Sequence, residues 1–356
     1  MVAGTEARER ATEEVPEAGP GVSGADLLVG ALPRKRRWPG LVALYLLTVF
    51  VLITINFLLP RLMPGDPIDA MTAEASAIVQ EPEVRERLAE YYGIDKPLIT
   101  QYFQYLGQLA RGDLGESIRT RSPVSEDLRG TVGWSFLLII TASVIAIAIG
   151  IPAGVHSGWK RGQRVDRGLL TFFVTAQNIP VFFLAFMALI LLSYQFGIFP
   201  LGGAHEARRY IDPLRHVLDI LHHLALPALM LAFEFVVYEY LIMRSSMVGE
   251  LGSNYLLAGR AKGLREHRLK YRYAARNALL PVVTVVGLQF SVAITTIVFI
   301  ERIFSYPGVG SYMFAAIGRR DYPAIQGAFL VLTLTVVTTN LLIDLLYRRL
   351  DPRTKT

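Results

Sequence analysis

The chain contains no cysteine among its 356 residues. That excludes disulfide bridges, thiol catalysis and cysteine-ligated metals, and it leaves the compartment open. Charge is also sparse: 19% of residues are Asp, Glu, Lys or Arg, where a soluble domain carries about 25%. Three catalytic signatures are missing too. No G-x-x-x-x-G-K-[ST] phosphate loop, no H-E-x-x-H pair and no G-x-S-x-G elbow occurs, so the chain cannot hydrolyse a nucleotide through such a loop and has no visible catalytic set. Of the six histidines, His222 and His223 are sequence neighbours. Neighbours on a helix point about 100° apart and chelate poorly, so neither a metal site nor a resident cofactor is expected.

What the chain does have is 52% hydrophobic residues, gathered in blocks. Trp38–Leu59, Thr131–Val155, Gly168–Ala204, Asn277–Ile300 and Tyr322–Ile343 carry no charge. A bilayer core about 30 Å thick needs roughly 20 apolar residues in a helix, and each run meets that length. The expected fold class is an all-α membrane protein. The net charge of +6 is then the Lys and Arg excess of cytoplasmic loops, which accounts for it without nucleic-acid binding.

These signals lay the chain across a membrane. Residues 1–33 read as a disordered cytoplasmic tail rich in Ala, Gly and Glu. Arg34 to Arg37 precede a first span at 34–60, whose apolar core exceeds the 7–15 residues of a signal peptide and is expected to stay uncleaved. Residues 61–130, with more acids than bases, form an extracytoplasmic subdomain in which Leu98, Tyr102, Tyr105 and Leu109 recur at helical spacing. Residues 131–356 supply the remaining spans, at 131–155, 169–194, 224–243, 279–301 and 323–346, with a kink expected at Pro180. Lys160, Arg161, Arg164 and Arg167, the basic 245–276 loop and the basic C-terminus all fall on the cytoplasmic side. The arrangement is six helices with both termini inside.

Two acids disturb this pattern. Glu234 and Glu239 interrupt the fourth span, where an ionised side chain costs roughly 2.5–3.5 kcal/mol on insertion scales. They are five residues apart, about 140° around a helix, so they do not share one narrow face. Two readings stay open: acids that line a pathway and meet a cationic group such as a peptide amino terminus, or neutral or paired acids at a helix contact. Glu301, at the outer end of the fifth span, either joins that pathway at its mouth or pairs with Arg302.

The 245–276 loop is the most informative stretch. It runs Ser253-Asn254-Tyr255-Leu256-Leu257-Ala258-Gly259-Arg260-Ala261-Lys262-Gly263-Leu264 and reaches Arg276-Asn277-Ala278-Leu279-Leu280-Pro281. Leu256, Leu257, Ala261 and Leu264 are expected on one helix face, with Gly263 ending the helix in a left-handed cap. Small residues permit close approach by a partner, and Arg260, Lys262 and Arg265 charge the rim. The physical alternatives are a docking knob and a solvated basic loop beside anionic lipid.

This loop closely resembles the cytoplasmic coupling motif of ABC importer permeases of the dipeptide/oligopeptide/nickel branch, which typically reads T-A-R-A-K-G-L and continues to R-N-A-L-L-P. Other matches fall in order: Pro64-Gly65-Asp66-Pro67, Tyr92 to Pro97, Gly112 to Ser117, Arg244-Ser245-Ser246-Met247, Tyr306 to Gly310, Asp321-Tyr322-Pro323, Gln326-Gly327, Asp344 to Tyr347 and Asp351-Pro352-Arg353. The resemblance covers about residues 35–356, and the subdomain after the first span resembles the first of the two permease subunits. It implies a bacterial inner-membrane permease that moves peptides or a related small solute by alternating access. It also implies a second permease, two cytoplasmic ATPases carrying ATP and Mg, and an extracytoplasmic substrate-binding protein. Carried over, Tyr255, Leu256 and Ala258 to Leu264 would meet the ATPase. The chain departs from the pattern at Gly259, where Ala is usual and a softer helix is expected. It departs again at Glu234 and Glu239, which suggest unusual cargo, and in its extra tail.

Overall fold

The computed structural model describes residues 38–62, 86–87, 95–118, 120–206 and 212–350. Pro64 to Pro67, Tyr92 to Ile94, Asp351 to Arg353 and the 1–33 tail therefore lie outside the described residues. Chain contacts divide the protein into residues 1–47 and 48–356. In the first unit, residues 38–47 are helical.

The described residues are helical almost throughout. The order is α1 (Trp38–Leu62), α2 (Leu98–Ala110), α3 (Val124–Trp159), α4 (Arg164–Gln177), α5 (Val181–Ala188, continuing as a π-helix over Leu189–Gln195) and α6 (Pro213–Glu250). Then come α7 (Asn254–Ala261), α8 (Glu266–Arg268, running through a π-helical turn at Leu269–Ala274), α9 (Ala275–Ile303), α10 (Val309–Gly318) and α11 (Tyr322–Leu350). Among the described residues four helices are long and apolar enough to cross a membrane, within α1, α3, α6 and α11; the number rises to as many as six if each of two bent pairs is one span.

The bent pairs fall where the sequence placed its third and fifth spans. α4 and α5 meet at 90°, far more than the kink expected at Pro180. Proline disfavours helical geometry in the residue before it, so α4 ends ahead of Ile179. Asn178 closes it by donating its side-chain amide to the Val174 carbonyl at 2.7 Å. The second pair bends by 51° between Gln289 and Val292. The fourth span is longer than 224–243, because α6 opens at Pro213. There Asp212 accepts the Leu214 N–H at 3.0 Å, and proline stands at the first helical position.

The principal core lies between α3 and α6, the most extensive helix pair among the described residues. Gly150, Gly154 and Gly158 recur every fourth residue along one face of α3. A Cβ at Gly154 would stand 2.7 Å from the Met243 Cβ and 2.9 Å from the Tyr240 carbonyl oxygen; at Gly158 it would stand 2.6 Å from the Met247 Cβ. The missing side chains let the two backbones touch. Leu138, Ala142, Leu231, Phe235 and Tyr240 fill the core around this seam.

In the segment that follows α1, α2 lies against α1 through Tyr102 and Tyr105, whose rings stand 5.1 and 5.6 Å from that of Phe57. Tyr102 also shares a 2.7 Å hydrogen bond with Thr54. Leu98, expected on the same face, is 60% exposed. Ser117, the last residue of the Gly112 to Ser117 motif, donates to Asp321 at 2.6 Å. That bond ties the subdomain to the start of α11.

Candidate coupling surface and pathway acids

α7 is a two-turn helix set on a hydrophobic seat. Leu256 is fully buried with Met243, Met247, Leu269, Ala274 and Ala278. Gly259, three residues on, is buried beneath Leu269: a Cβ there would come 2.5 Å from the Leu269 Cδ2. The glycine therefore has a packing reason. It lets α7 sit down on the π-helical turn that follows, and it does not simply loosen the helix.

The C-terminus of α7 closes as its sequence predicts. Gly263 adopts φ +71. Its N–H donates to the Arg260 carbonyl at 2.9 Å, and the Leu264 N–H donates to the Gly259 carbonyl at 3.1 Å. This paired 6→1 and 5→2 arrangement is a Schellman cap, completed by a half-buried Leu264 that packs back on the cluster.

One sequence expectation is corrected here. Leu256, Leu257, Ala261 and Leu264 do not share a face. Leu256 points inward with Leu264, while Leu257 is 57% exposed and Ala258, Arg260, Ala261, Lys262 and Gly263 are also exposed. Leu256 and Leu257 lie about 100° apart around the helix, and the edge of the buried seat falls between them. The result is a solvent-facing strip of Leu257, Ala258 and Ala261 with cations beside it. Arg260 pairs with Glu266 at 3.1 Å. At the root of the knob Tyr255 donates its hydroxyl to the Glu250 carboxylate. Burial, followed by that carboxylate, pushes the Tyr255 phenol above its ordinary value.

Beneath the knob a polar cluster joins α3, α4 and α6. Arg244 grips Asp166 with two nitrogens at 2.7 and 2.9 Å. Asp166 also accepts from the Ser157 hydroxyl at 2.6 Å and the Gly162 N–H at 2.8 Å. Ser157 bonds Tyr240 at 2.7 Å, and Phe173 stacks on Tyr240 with centroids 4.1 Å apart. Sequence reasoning noticed Arg244 only inside a motif and missed its partner, although a lone acid among the loop's cations was a signal.

The three pathway candidates separate. Glu239 is fully buried against Gly150 of α3, and neither carboxylate oxygen has a hydrogen-bond partner among the described residues. Glu301 is fully buried as well, but it is bonded: it accepts from the Ser135 hydroxyl at 2.6 Å and the Ser311 N–H at 3.1 Å. Ser135 in turn accepts the Val309 N–H at 2.9 Å. The Glu301 carboxylate thus occupies the N-terminus of α10, where free N–H groups and the helix dipole favour an anion. A Cβ at Gly308 would overlap that carboxylate, and one at Gly310 would lie 2.7 Å from the Val298 Cα, which explains the glycines of the Tyr306 to Gly310 motif. Arg302 is not among its hydrogen-bond partners. Glu234 borders a cavity of about 140 Å³ beside the α4–α5 break.

Comparison with known proteins adds independent information. The family described as "Binding-protein-dependent transport system inner membrane component" matches residues 146–356. The di/tripeptide transport system permease protein DppB of Pseudomonas aeruginosa is 34% identical over 320 residues, covering 86% of this chain and 94% of that protein. The dipeptide transport system permease protein DppB of Escherichia coli K12 is 34% identical over 322 residues, covering 85% and 94%. The oligopeptide transport system permease protein AppB of Bacillus subtilis is 33% identical, covering 84% and 92%.

Proposed function

The chain belongs to the binding-protein-dependent inner-membrane permeases, the membrane components of ABC importers, and from that membership we propose that it is a peptide-importing subunit driven through α7. The observation that carries the reading is the two-sided knob. Leu256 and Gly259 root α7 in the protein, and Leu257, Ala258 and Ala261 face outward with Arg260 and Lys262 beside them. A transport subunit whose sequence holds no phosphate loop needs nucleotide energy from elsewhere. A rigid helix presenting small residues and cations suits a groove on a cytoplasmic ATPase.

In this proposal six spans cross the membrane, α4–α5 and α8–α9 each counting as one, with both termini in the cytoplasm. A second permease completes the pathway, two ATPases bind ATP and Mg, and a binding protein delivers a peptide on the outer face. Alternating access follows from two states in which the partners make different contacts. Tyr255, Leu256 and Ala258 to Leu264 are the coupling residues: Tyr255, Leu256, Gly259 and Leu264 form the seat, and the others, with the exposed Leu257 between them, form the contact.

Leu257→Glu and Leu256→Ala test this by failing differently. The first should abolish co-purification of the ATPase while the permease still elutes as a folded species. The second should lower stability by about 2–5 kcal/mol through the cavity left behind, and lose the ATPase only as the chain unfolds. Normal ATPase capture and uptake by Leu257→Glu would sink the coupling assignment.

A further inference from the structure

The cavity beside the α4–α5 break is lined by Ala176, Gln177 and Ile179 from one side of the break, Pro180 and Val181 from the other, and Phe233, Glu234, Val237 and Tyr238 of α6. Glu234 is the only charged residue in that lining. The Thr296 hydroxyl of α9 bonds its carboxylate, and Oε2 has no hydrogen-bond partner among the described residues. An anion beside a cavity without a protein cation is costly unless a proton or an outside cation meets it. The surroundings favour a cation. The last turn of α4 brings its carbonyl end to the cavity, and the end of a helix is electronegative. Pro180 has no N–H to offer an anion. Phe233 and Tyr238 bring aromatic rings to the lining, and the faces of such rings attract ammonium groups.

We infer that this cavity receives the primary ammonium group of the cargo, with Glu234 as its counter-ion. Its volume of about 140 Å³ is close to that of a cavity that admits benzene, and well below the 300 Å³ or more of a whole-ligand pocket. It therefore takes one end of a peptide. This makes the permease itself selective for a free amino terminus, in addition to whatever its binding protein selects. The inference rests on the peptide-permease reading for the identity of the cargo. It does not rest on it for the existence of a cation site.

Because the chain has no cysteine, Ile179→Cys places a single reporter thiol in this chain at the cavity wall. In the full transporter in vesicles, labelling of this chain is followed with 2-aminoethyl methanethiosulfonate, a cation, and 2-sulfonatoethyl methanethiosulfonate, an anion. The expected cation-to-anion rate ratio falls about tenfold or more when Glu234→Gln is added. Alanyl-alanine should slow cationic labelling in the Glu234 background, and its N-acetyl form should not. An unchanged ratio means that Glu234 is protonated or remote, and overturns the inference. So does equal protection by both peptides, or no labelling by either reagent. Uptake of alanyl-alanine by the unsubstituted transporter is measured separately: its absence would remove the peptide reading, while the labelling ratio would still report on the cation site.

Discussion

Gly154 and Gly259 look alike in the sequence but have different neighbours. A Cβ at Gly154 would strike the Tyr240 carbonyl oxygen at 2.9 Å and the Arg244 backbone nitrogen at 3.0 Å, atoms that cannot turn aside. A Cβ at Gly259 would meet the end of a leucine side chain, which can change rotamer at modest cost. Gly259→Ala should therefore leave the thermal transition of the purified transporter within a few degrees of the parent. Gly154→Ala should lower it strongly, because it pushes two packed backbones apart. Gly263→Ala should cost about 1 kcal/mol through its left-handed backbone, without any steric clash. The Asp166–Arg244 pair predicts an asymmetry. The Asp166 side chain is 3% exposed and that of Arg244 20%, so removing the arginine strands the more deeply buried charge. Arg244→Ala should cost about 3–5 kcal/mol, and Asp166→Ala less, as read from the folded fraction in size-exclusion chromatography. Arg244→Lys should rescue only partly, because a lysine cannot reproduce the two-pronged grip.

The helices were legible in the sequence to the extent that each owed its existence to its own residues. The charge-free runs marked α1, α3, the α4–α5 pair, α9 and α11, α6 was legible only as a span interrupted by two acids, and Gly263 marked the end of α7. The 90° turn at Pro180 was visible only as a proline, since the angle depends on what α5 packs against. α10 passed unnoticed because its apolar stretch, Val309–Gly318, is too short to span a membrane. Its anchor is equally hidden: Ser135 lies 166 positions from Glu301. That anchor can be tested on the element it holds. Glu301→Ala should leave Ser135 and the Ser311 N–H without their acceptor. Amide hydrogens at 309–312 should then exchange faster, while those in the α3–α6 core keep their protection. Unchanged exchange at Ser311 would remove Glu301 from this role. For the site, spacing located α7 but misassigned its faces, since Leu256 and Leu257 could not both be resolved from a list of apolar residues. Nothing in the sequence distinguished Glu234, beside a cavity, from Glu239, sealed against glycine.

The whole chain carries one prediction about sidedness. If six spans cross the bilayer, Asp113 in the subdomain and Lys262 on the knob lie on opposite faces. In right-side-out vesicles an impermeant maleimide should label Asp113→Cys, and should label Lys262→Cys only after the membrane is opened. Labelling of both from outside would require an even number of crossings between them and overturn the arrangement. The absence of native cysteine makes the readout clean for this chain.

α6 is a 38-residue helix, about 57 Å long at 1.5 Å per residue. Its one internal proline, Pro227, lies before Glu234, so from Glu234 to Glu250 it carries no hinge. α7 is attached just past its end, and the glycine seam fastens α3 to it between Val236 and Met247. This makes α6 a lever arm, with the knob at its tip and the cavity of Glu234 about 24 Å up the shaft. A push on the tip would arrive at the cavity as a tilt of the whole shaft, delivered at once and without any relay of side chains between.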